Sequence, residues 1–300
     1  MSVDLAIVPV AELGTRLLPA TKSQPKEMLP VGRRPVVQYV VEELARAGIK
    51  RILFITGYGK SSIEDFFDIN HQLINHLRHN GKEDQLAELA FERNEVEYAY
   101  TRQREQLGLG HAVLIGEPFS GNQPFVCALG DSIIGLHAKS KIVERMVEEY
   151  ERTGADLVVA FEELSDPREV VNYGIAKPRG PVTGDVFELE SLIEKPSIDE
   201  APSRLAVAAR YVFSPSIFDE LRQTPRGKGG EIQLTDAMRA VMAKGGKGIG
   251  IRLPADEPRF DIGNFESYFQ AFVDFALADV QFGPGLATYL RKKLANMPEA

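Results

Sequence analysis

The first sixty residues carry two short apolar runs with a stretch of helical spacing between them. The run at residues 5–8 predicts a buried strand, which opens into a long loop at residues 9–30. A second run at residues 51–56 predicts another strand. Between the two, apolar side chains recur at helical spacing before Gly48, a helix stop, at Val36, Val37, Val40, Val41, Leu44 and Ala45. This order indicates a βαβ unit with parallel strands.

The remaining pattern predicts a sheet with strands in both directions. Residues 68–97 are rich in polar and charged side chains and are interpreted as surface helices. Apolar and polar side chains alternate at residues 186–193, which favours antiparallel strands. Further buried strands are predicted at residues 125–129 and 156–161, and helices at residues 142–153, 215–221, 234–242 and 266–277. The chain is therefore interpreted as an α/β protein with a mixed central sheet flanked by helices.

Charge and composition narrow the classes of function. The chain has 300 residues with 35 basic and 43 acidic side chains, a net charge of −8, which argues against a broad nucleic-acid surface. A single cysteine, Cys127, excludes an internal disulfide. The start MSVDLAIVPV does not resemble a secretion signal, and no apolar run approaches the ~20 residues that span a bilayer. We therefore expect a cytoplasmic protein without a membrane partner.

The sequence offers histidine and aspartate side chains as candidate ligand-binding residues. His71, His76 and His79 are interpreted as solvated, because neither a cysteine nor a second tight pair of ligands accompanies them. Asp131 follows a predicted buried strand directly. Open α/β sheets bind ligands at that end of their strands, so Asp131 is a candidate site residue.

The loop after the first strand carries the most informative chemistry. Gly14 would let backbone N–H groups approach phosphate oxygens, while Arg16 and Lys26 add positive charge. Neither the dinucleotide pattern G-x-G-x-x-G nor the phosphate loop G-x-x-x-x-G-K-[ST] is present in this loop. The sequence therefore predicts a different kind of phosphate-binding loop.

At these residues the sequence resembles the sugar-nucleotide pyrophosphorylases, and among them the bacterial uridylyltransferases. Their signature is matched at Gly14, Thr15, Arg16, Pro19, Thr21, Lys26, Pro30 and Val31. Further matches are GLGHAV at 108–113, EKP at 194–196 and GGEIQLTDA at 229–237. The resemblance implies one Rossmann-like, glycosyltransferase A-like nucleotidyltransferase domain at residues 1–280, with a smaller sugar-side β region. Its nucleotide half would lie at about 1–150, its sugar half at about 151–280, and a C-terminal helix and tail at 281–300.

The resemblance also implies a reaction and its partners. UTP and glucose 1-phosphate would give UDP-glucose and pyrophosphate, by attack of the sugar phosphate on the α-phosphorus. A phosphate with a second pKa of about 6 is already ionised near neutral pH, so a general base is not needed. Catalysis would consist of positioning two anions and neutralising charge with Arg16, Lys26 and Mg²⁺. A homo-oligomer, either a dimer or a tetramer, is expected by the same resemblance.

Individual site residues follow by similarity. Mg²⁺ usually takes one or two protein carboxylates, and Asp131 and Asp261 match the metal-binding pair of the family. Gln103 matches the residue at the uracil edge, and His111 is interpreted as structural. The remaining matches are the nucleotide-binding Ala11, Glu12, Leu13, Gly14 and Gly108, the sugar-binding Tyr173, Gly174, Glu194 and Lys195, and the catalytic Arg16, Lys26 and Lys195.

Several residues depart from the family pattern. Glu12 replaces a glycine, and its carboxylate would add repulsion of about 1 kcal/mol at 4 Å from a phosphate in water. Glu12 could turn toward solvent, bind Lys22 or Arg16, or help to hold Mg²⁺. Phe265 replaces a lysine of close relatives. Smaller departures are Ser132 and Ala209.

Three hypotheses remain open at this stage. The first is an active Mg²⁺-dependent uridylyltransferase. The second is a catalytically weak paralogue that binds UDP-glucose and regulates an active relative, which Glu12 and Phe265 would favour. The third is an enzyme of the same fold that uses dTTP or another hexose phosphate. A dehydrogenase is disfavoured because no glycine triad opens the first helix.

Overall fold

The computed structural model describes residues 3–93 and 95–296. The strands are β1 Leu5–Pro9, β2 Pro30–Val31, β3 Arg34–Pro35, β4 Arg51–Thr56, β5 Glu97–Arg102, β6 Phe125–Ala128, β7 Ser132–Ile134, β8 Leu157–Glu163, β9 Gly174–Pro178, β10 Val186–Glu194, β11 Leu205–Phe213, β12 Gly248–Arg252 and β13 Arg259–Asp261. The helices are α1 Val36–Arg46, α2 Ser61–Phe67, α3 His71–His79, α4 Glu83–Ala87, α5 Leu109–Ile115, α6 Glu117–Ser120, α7 Ile142–Thr153, α8 Ser216–Gln223, α9 Leu234–Ala243, α10 Phe265–Leu277 and α11 Gly283–Ala295.

Nine strands form one sheet in the order β5-β4-β1-β6-β11-β8-β12-β10-β9. β1 is parallel to β4 and β6, and β4 is parallel to β5. β11 lies antiparallel between β6 and β8, and β10 is antiparallel to both β9 and β12. The predicted mixed sheet and the parallel βαβ unit are therefore confirmed, as are the antiparallel strands of the second half.

Helices cover both faces of the sheet because its central strands are apolar on both sides. Alternate residues of β1 point to opposite faces. Ala6 and Val8 pack in a cluster with α1 and α7, whereas Leu5 and Ile7 pack in a cluster with α5, α8 and α9. The carboxyl ends of β1 and β6 are thereby held between two layers of helices.

The predicted helices all lie close to observed ones, and the exposed α3 carries the three solvated histidines. Four strands of the sheet were not predicted from the sequence: β5 and β9 at its edges, and β11 and β12 within it. β5 reads EYAYTR and is only partly buried, so it lacks the continuous apolar run of a central strand. Among the helices of the described residues, none is both long enough and apolar enough to cross a membrane.

Candidate active site

A cleft of about 450 Å³ opens beyond the carboxyl ends of β1 and β6. It is lined from one side by the loop after β1 and from the other by the end of β10. The predicted site residues that line it are Ala11, Glu12, Leu13, Gly14, Arg16, Lys26, Gln103, Gly108, Asp131, Glu194 and Lys195. The fold thus brings together residues that are far apart in the sequence.

The loop after β1 turns sharply at Gly14. Its φ of +66° is a left-handed conformation that favours glycine, and an added β-carbon would lie 3.2 Å from Thr21 Cγ2. The hydroxyl of Thr21 donates to the Gly14 carbonyl at 2.7 Å, which ties the turn to the returning chain. Leu17 anchors the same segment in an apolar cluster. The loop is therefore a fixed turn that leaves Arg16 in the lining of the cleft.

Lys26 is the buried positive charge of the cleft. Its side chain is 4% exposed, and Nζ lies 2.6 Å from Asp131 Oδ2 and in contact with the Glu12 carboxylate. Burial acts to lower the pKa of Lys26, but the charges of Asp131, Glu12 and Glu27 outweigh it and hold the pKa above its ordinary value. The ammonium therefore stays charged at every pH at which the protein would be assayed.

A second ion pair lies directly behind Lys26. Glu27 and Lys60 are both buried, with Glu27 Oε2 and Lys60 Nζ 2.8 Å apart. Burial raises the pKa of Glu27, and the charges of Lys60 and Lys26 oppose this rise. This pair supports the peptide segment that carries Lys26. The sequence did not predict this pair, because Glu27 lies in the loop after β1 whereas Lys60 follows β4.

The two predicted metal-binding carboxylates meet at a short ladder. β7 and β13 pair antiparallel with Asp261 opposite Ser132, and Ile262 N donates to Asp131 O at 2.9 Å. Burial, and then the charge of Asp131, raise the pKa of Asp261. Burial would also raise the pKa of Asp131, but the adjacent Lys26 outweighs it and lowers that pKa. Lys26 and Arg259 act to lower the pKa of both carboxylates, and Arg16 acts in the same direction on Asp261, yet the pKa of Asp261 stays raised. A further cation would stabilise its charged form.

Gln103 and Gly108 form the side of the cleft nearest β5. The amide Nε2 of Gln103 donates to Gly108 O at 3.1 Å and lies 3.0 Å from His111 Nδ1. Gly108 has φ +89°, and an added β-carbon would lie 2.7 Å from Glu231 Cβ. Only glycine fits there, since both the backbone conformation and the close approach exclude a side chain. His111 therefore contacts the amide of Gln103, a residue in the lining of the cleft.

The opposite side of the cleft is built on β9 and β10. Gly174 pairs with Glu194, and the backbone N–H of Lys195 donates to Tyr173 O at 2.9 Å. Thr235 donates to Glu194 Oε2 at 2.7 Å and so orients the carboxylate. Tyr173 and Gly174 do not line the cleft themselves; they support Glu194 and Lys195, which do.

The cleft also contains residues that the sequence interpretation did not name. Gln106, Glu231 and Gln233 line it, and Gln106 Nε2 donates to Ala11 O at 3.0 Å across the cleft. Glu231 and Gln233 lie within the stretch GGEIQLTDA. Because that stretch matches the family, its polar residues are the sequence signal for this part of the cleft.

Comparison with known proteins settles the family. The chain matches the nucleotidyl transferase family over residues 7–277. It belongs to that family. It is 44% identical to the UTP–glucose-1-phosphate uridylyltransferase YngB of Bacillus subtilis. The alignment of 285 residues covers 95% of this chain and 93% of YngB. The resemblance to sugar-nucleotide pyrophosphorylases is thereby confirmed.

Solved structures of UDP-glucose pyrophosphorylases have the same fold as this chain. A UDP-glucose pyrophosphorylase crystallised with UDP-glucose superposes with a TM-score of 0.81 at 36% identity, over 91% of this chain and 98% of that chain. The UTP-bound enzyme of Acinetobacter baumannii gives a TM-score of 0.86 at 34% identity, over 99% of this chain and all of that chain. The predicted fold class is confirmed by this agreement over almost the full length.

Against this family background, Glu12 has an unexpected partner. Its side chain is 70% exposed, and its carboxylate contacts Lys26 rather than Lys22 or Arg16. The other departures are packed into the fold. Ala209 adopts φ +59°, a conformation for which glycine is better suited. Phe265 begins α10 and packs on the apolar cluster beneath the loop after β1.

Proposed function

We propose that this protein forms UDP-glucose and pyrophosphate from UTP and glucose 1-phosphate. The observation that carries the proposal is a single cleft in which Lys26 and Asp131 lie opposite Glu194 and Lys195. The first pair suits a nucleotide phosphate, and the second offers a carboxylate for sugar hydroxyls and an ammonium for the sugar phosphate. Relatives named for this reaction align over nearly the whole chain.

The residues would act mainly by positioning and by neutralising charge. Lys26 is held in place by the Asp131 carboxylate, so its ammonium is already oriented when a phosphate arrives. Arg16 in the cleft lining adds a second cation for the nucleotide phosphates. Lys195 would hold the sugar phosphate, which attacks as an anion. No side chain is therefore required to remove a proton.

The donor set fits a magnesium ion. Within residues 3–93 and 95–296, no group of three or more His, Cys, Asp or Glu side chains converges on a metal position. Mg²⁺ does not need one, because it commonly takes one or two carboxylates and completes its shell with water and substrate phosphates. Asp131 and Asp261 would hold it, and the pKa of Asp261, which burial and then the charge of Asp131 raise, would fall when the cation binds. The ion would supply charge neutralisation at the α-phosphate and at the leaving pyrophosphate.

The proposal is tested by measuring pyrophosphate release from UTP and glucose 1-phosphate with and without Mg²⁺. Parallel reactions contain dTTP in place of UTP, or galactose 1-phosphate in place of glucose 1-phosphate. We expect release that requires the metal and is fastest with UTP and glucose 1-phosphate. Absence of release by folded protein with every nucleotide would contradict the proposal.

The second candidate function is a weak paralogue that binds UDP-glucose and regulates an active relative. The observation that favours it is the Glu12 carboxylate on Lys26, where a substrate phosphate would otherwise bind. Binding of UDP-glucose without pyrophosphate release, together with a change in the activity of a co-purified relative, would support it. Normal turnover by this chain alone would exclude it.

Replacement of Glu12 by glycine or glutamine should lower the KM for UTP about five- to tenfold. Each change removes a charge that competes with phosphate for Lys26, and a like-charge repulsion of about 1 kcal/mol or more near the cleft corresponds to that factor. Initial rates at varied UTP measure the effect. Glu200→Gln, an exposed carboxylate outside the cleft, is the control and should change nothing. Lost activity in both Glu12 variants would instead mean that Glu12 helps to hold substrate or metal.

We also propose a division of labour along the chain. Residues 1–150 would bind the nucleotide, since they contribute the loop after β1, Gln103 and Asp131. Residues 151–280 would bind the sugar. Residues 281–296, which include α11, do not line the cleft, and the end of the predicted tail at 297–300 lies outside the described residues. A homo-oligomer is proposed as well, because α10 and α11 expose large apolar side chains such as Phe269 and Tyr289. The cytoplasmic location stays a prediction from the sequence.

A further inference from the structure

The amide of Gln103 can present only one of its polar atoms to the cleft. Nε2 donates to the carbonyl of Gly108 at 3.1 Å and lies 3.0 Å from Nδ1 of His111. A carbonyl oxygen can only accept, so the group that faces Gly108 must be the NH₂ group. Its second hydrogen is then available for the histidine ring. Within the described part of the chain, no donor is hydrogen-bonded to Oε1.

Oε1 is nevertheless open to the cleft. Gln103 is 5% exposed and belongs to the lining of the cleft. Its Oε1 is not among the fully buried polar atoms that lack a partner. A ligand in the cleft therefore meets a carbonyl oxygen here, which is an acceptor and cannot donate.

His111 has the properties needed to fix this orientation. It lies in α5 one turn after Gly108, so both acceptors of the amide belong to one short segment. Burial, with a smaller effect of Arg226 in the same direction, holds the pKa of His111 below its usual value, while Glu105 opposes this. A lowered pKa favours the neutral ring, whose Nδ1 can accept a hydrogen bond.

We propose that His111 is a positioning residue that fixes the amide of Gln103, so that Oε1 reads the N3–H group of a uracil ring and rejects cytosine. The inference rests on the proposed function for the identity of the nucleotide. Uracil carries a hydrogen on N3, whereas cytosine carries a lone pair there that would face Oε1. Thymine shares the N3–H group, so this contact separates UTP from CTP and does not separate UTP from dTTP. Sites built around a substrate N–H reject analogues that lack it.

The test is the affinity of the full-length protein for UTP and for CTP, measured by calorimetry without glucose 1-phosphate. His111→Leu should weaken UTP binding about tenfold and change CTP binding little, because the amide loses one of two acceptors. His111→Asn should retain the wild-type ratio, because an asparagine oxygen can accept near the position of Nδ1. His71→Leu, on the exposed helix α3, is the matched control and should match the wild type.

A double-mutant cycle separates positioning from general packing. In a Gln103→Ala background, His111→Leu should cause no further change in the ratio of UTP to CTP affinity. The inference is overturned if His111→Leu leaves the ratio unchanged, weakens both nucleotides equally, or reduces the ratio again in the Gln103→Ala background.

Pyrophosphate release by the wild type is measured alongside to separate the two claims. Preference for UTP with His111 dependence but without release would support the inference and overturn the proposed function. Release without any preference for UTP over CTP would overturn the inference alone.

Discussion

Replacing Asp131 by alanine should reduce pyrophosphate formation about a hundred- to a thousandfold. Asp131 is one of two partly buried carboxylates available for the metal, and it also positions Lys26 through a contact of 2.6 Å. Loss of one preorganised group that stabilises transition-state charge commonly costs this factor in kcat. Initial rates with saturating UTP, glucose 1-phosphate and Mg²⁺ measure the effect.

Two further variants make the Asp131 prediction specific. Asp131→Asn keeps the size of the side chain but removes its charge, so it should be nearly as inactive as the alanine variant. Asp166→Ala removes a half-exposed carboxylate that pairs with Arg168 and does not line the cleft, and it should keep full activity. A thermal unfolding curve for each variant verifies the fold. Retention of more than a tenth of the wild-type rate by Asp131→Ala would contradict the assigned role.

Replacing Arg210 by methionine should destabilise the fold by about 3–5 kcal/mol. Arg210 is completely buried and pairs with Glu43 of α1 at 2.6 Å. Without it, the Glu43 carboxylate would be buried without a partner, and removal of one member of such a pair costs this amount. Burial already raises the pKa of Glu43, and the charge of Arg210 opposes that rise. Denaturant titration or calorimetry measures the loss.

A double variant tests the reason for this loss. Arg210→Met combined with Glu43→Leu removes both charges and should recover most of the stability, since apolar replacements of buried pairs are often neutral. Arg152→Met breaks an exposed ion pair with Glu149 and should leave stability unchanged. Equal destabilisation in the single and double Arg210 variants would show that lost packing, not an unpaired charge, is responsible.

Arg210 also connects the sheet to the candidate site. β11 pairs with β8 before Ala208 and after Arg210, and between these positions the register shifts. In this bulge Ala209 O accepts from Leu129 N at 3.1 Å, and Arg210 donates to Ser132 O at 2.9 Å. The turn that carries Asp131 is thus held on both sides. The variant with both Arg210→Met and Glu43→Leu recovers stability but lacks the hydrogen bond to Ser132 O. We therefore expect its kcat to be about tenfold below that of the wild type.

Four of the central strands were predictable because burial on both faces gives a continuous apolar run. β1, β4, β6 and β8 are covered by helices on both faces, and each reads as a continuous apolar run. The buried β11 and β12 were missed, since Arg210 interrupts the first and glycines alternate with isoleucines in the second. β5 and β9 lie at the two edges of the sheet and contain polar residues. Their position depends on neighbouring strands, which local pattern cannot reveal.

The site was predictable where a motif fixes local geometry. Gly14, Lys26 and Gly108 lie in short motifs, and the structure brings all three to one cleft. The partner of Glu12 was not predictable, because it depends on how the loop folds back toward β6. Likewise, the pairing of Arg210 with Glu43 joins two distant segments, and no spacing in the sequence indicates it.

The uninterrupted sheet restricts how the protein can close around its substrates. β6 of the first half and β11 of the second are joined by backbone hydrogen bonds through the middle of the sheet. A hinge between the two halves would have to break this ladder, so they cannot open and shut as separate rigid lobes. Entry and exit must instead depend on the segments at the rim of the cleft, which are the loop after β1 and the residues around Glu231. The rate of product release would then reflect rearrangement of these loops over a static floor.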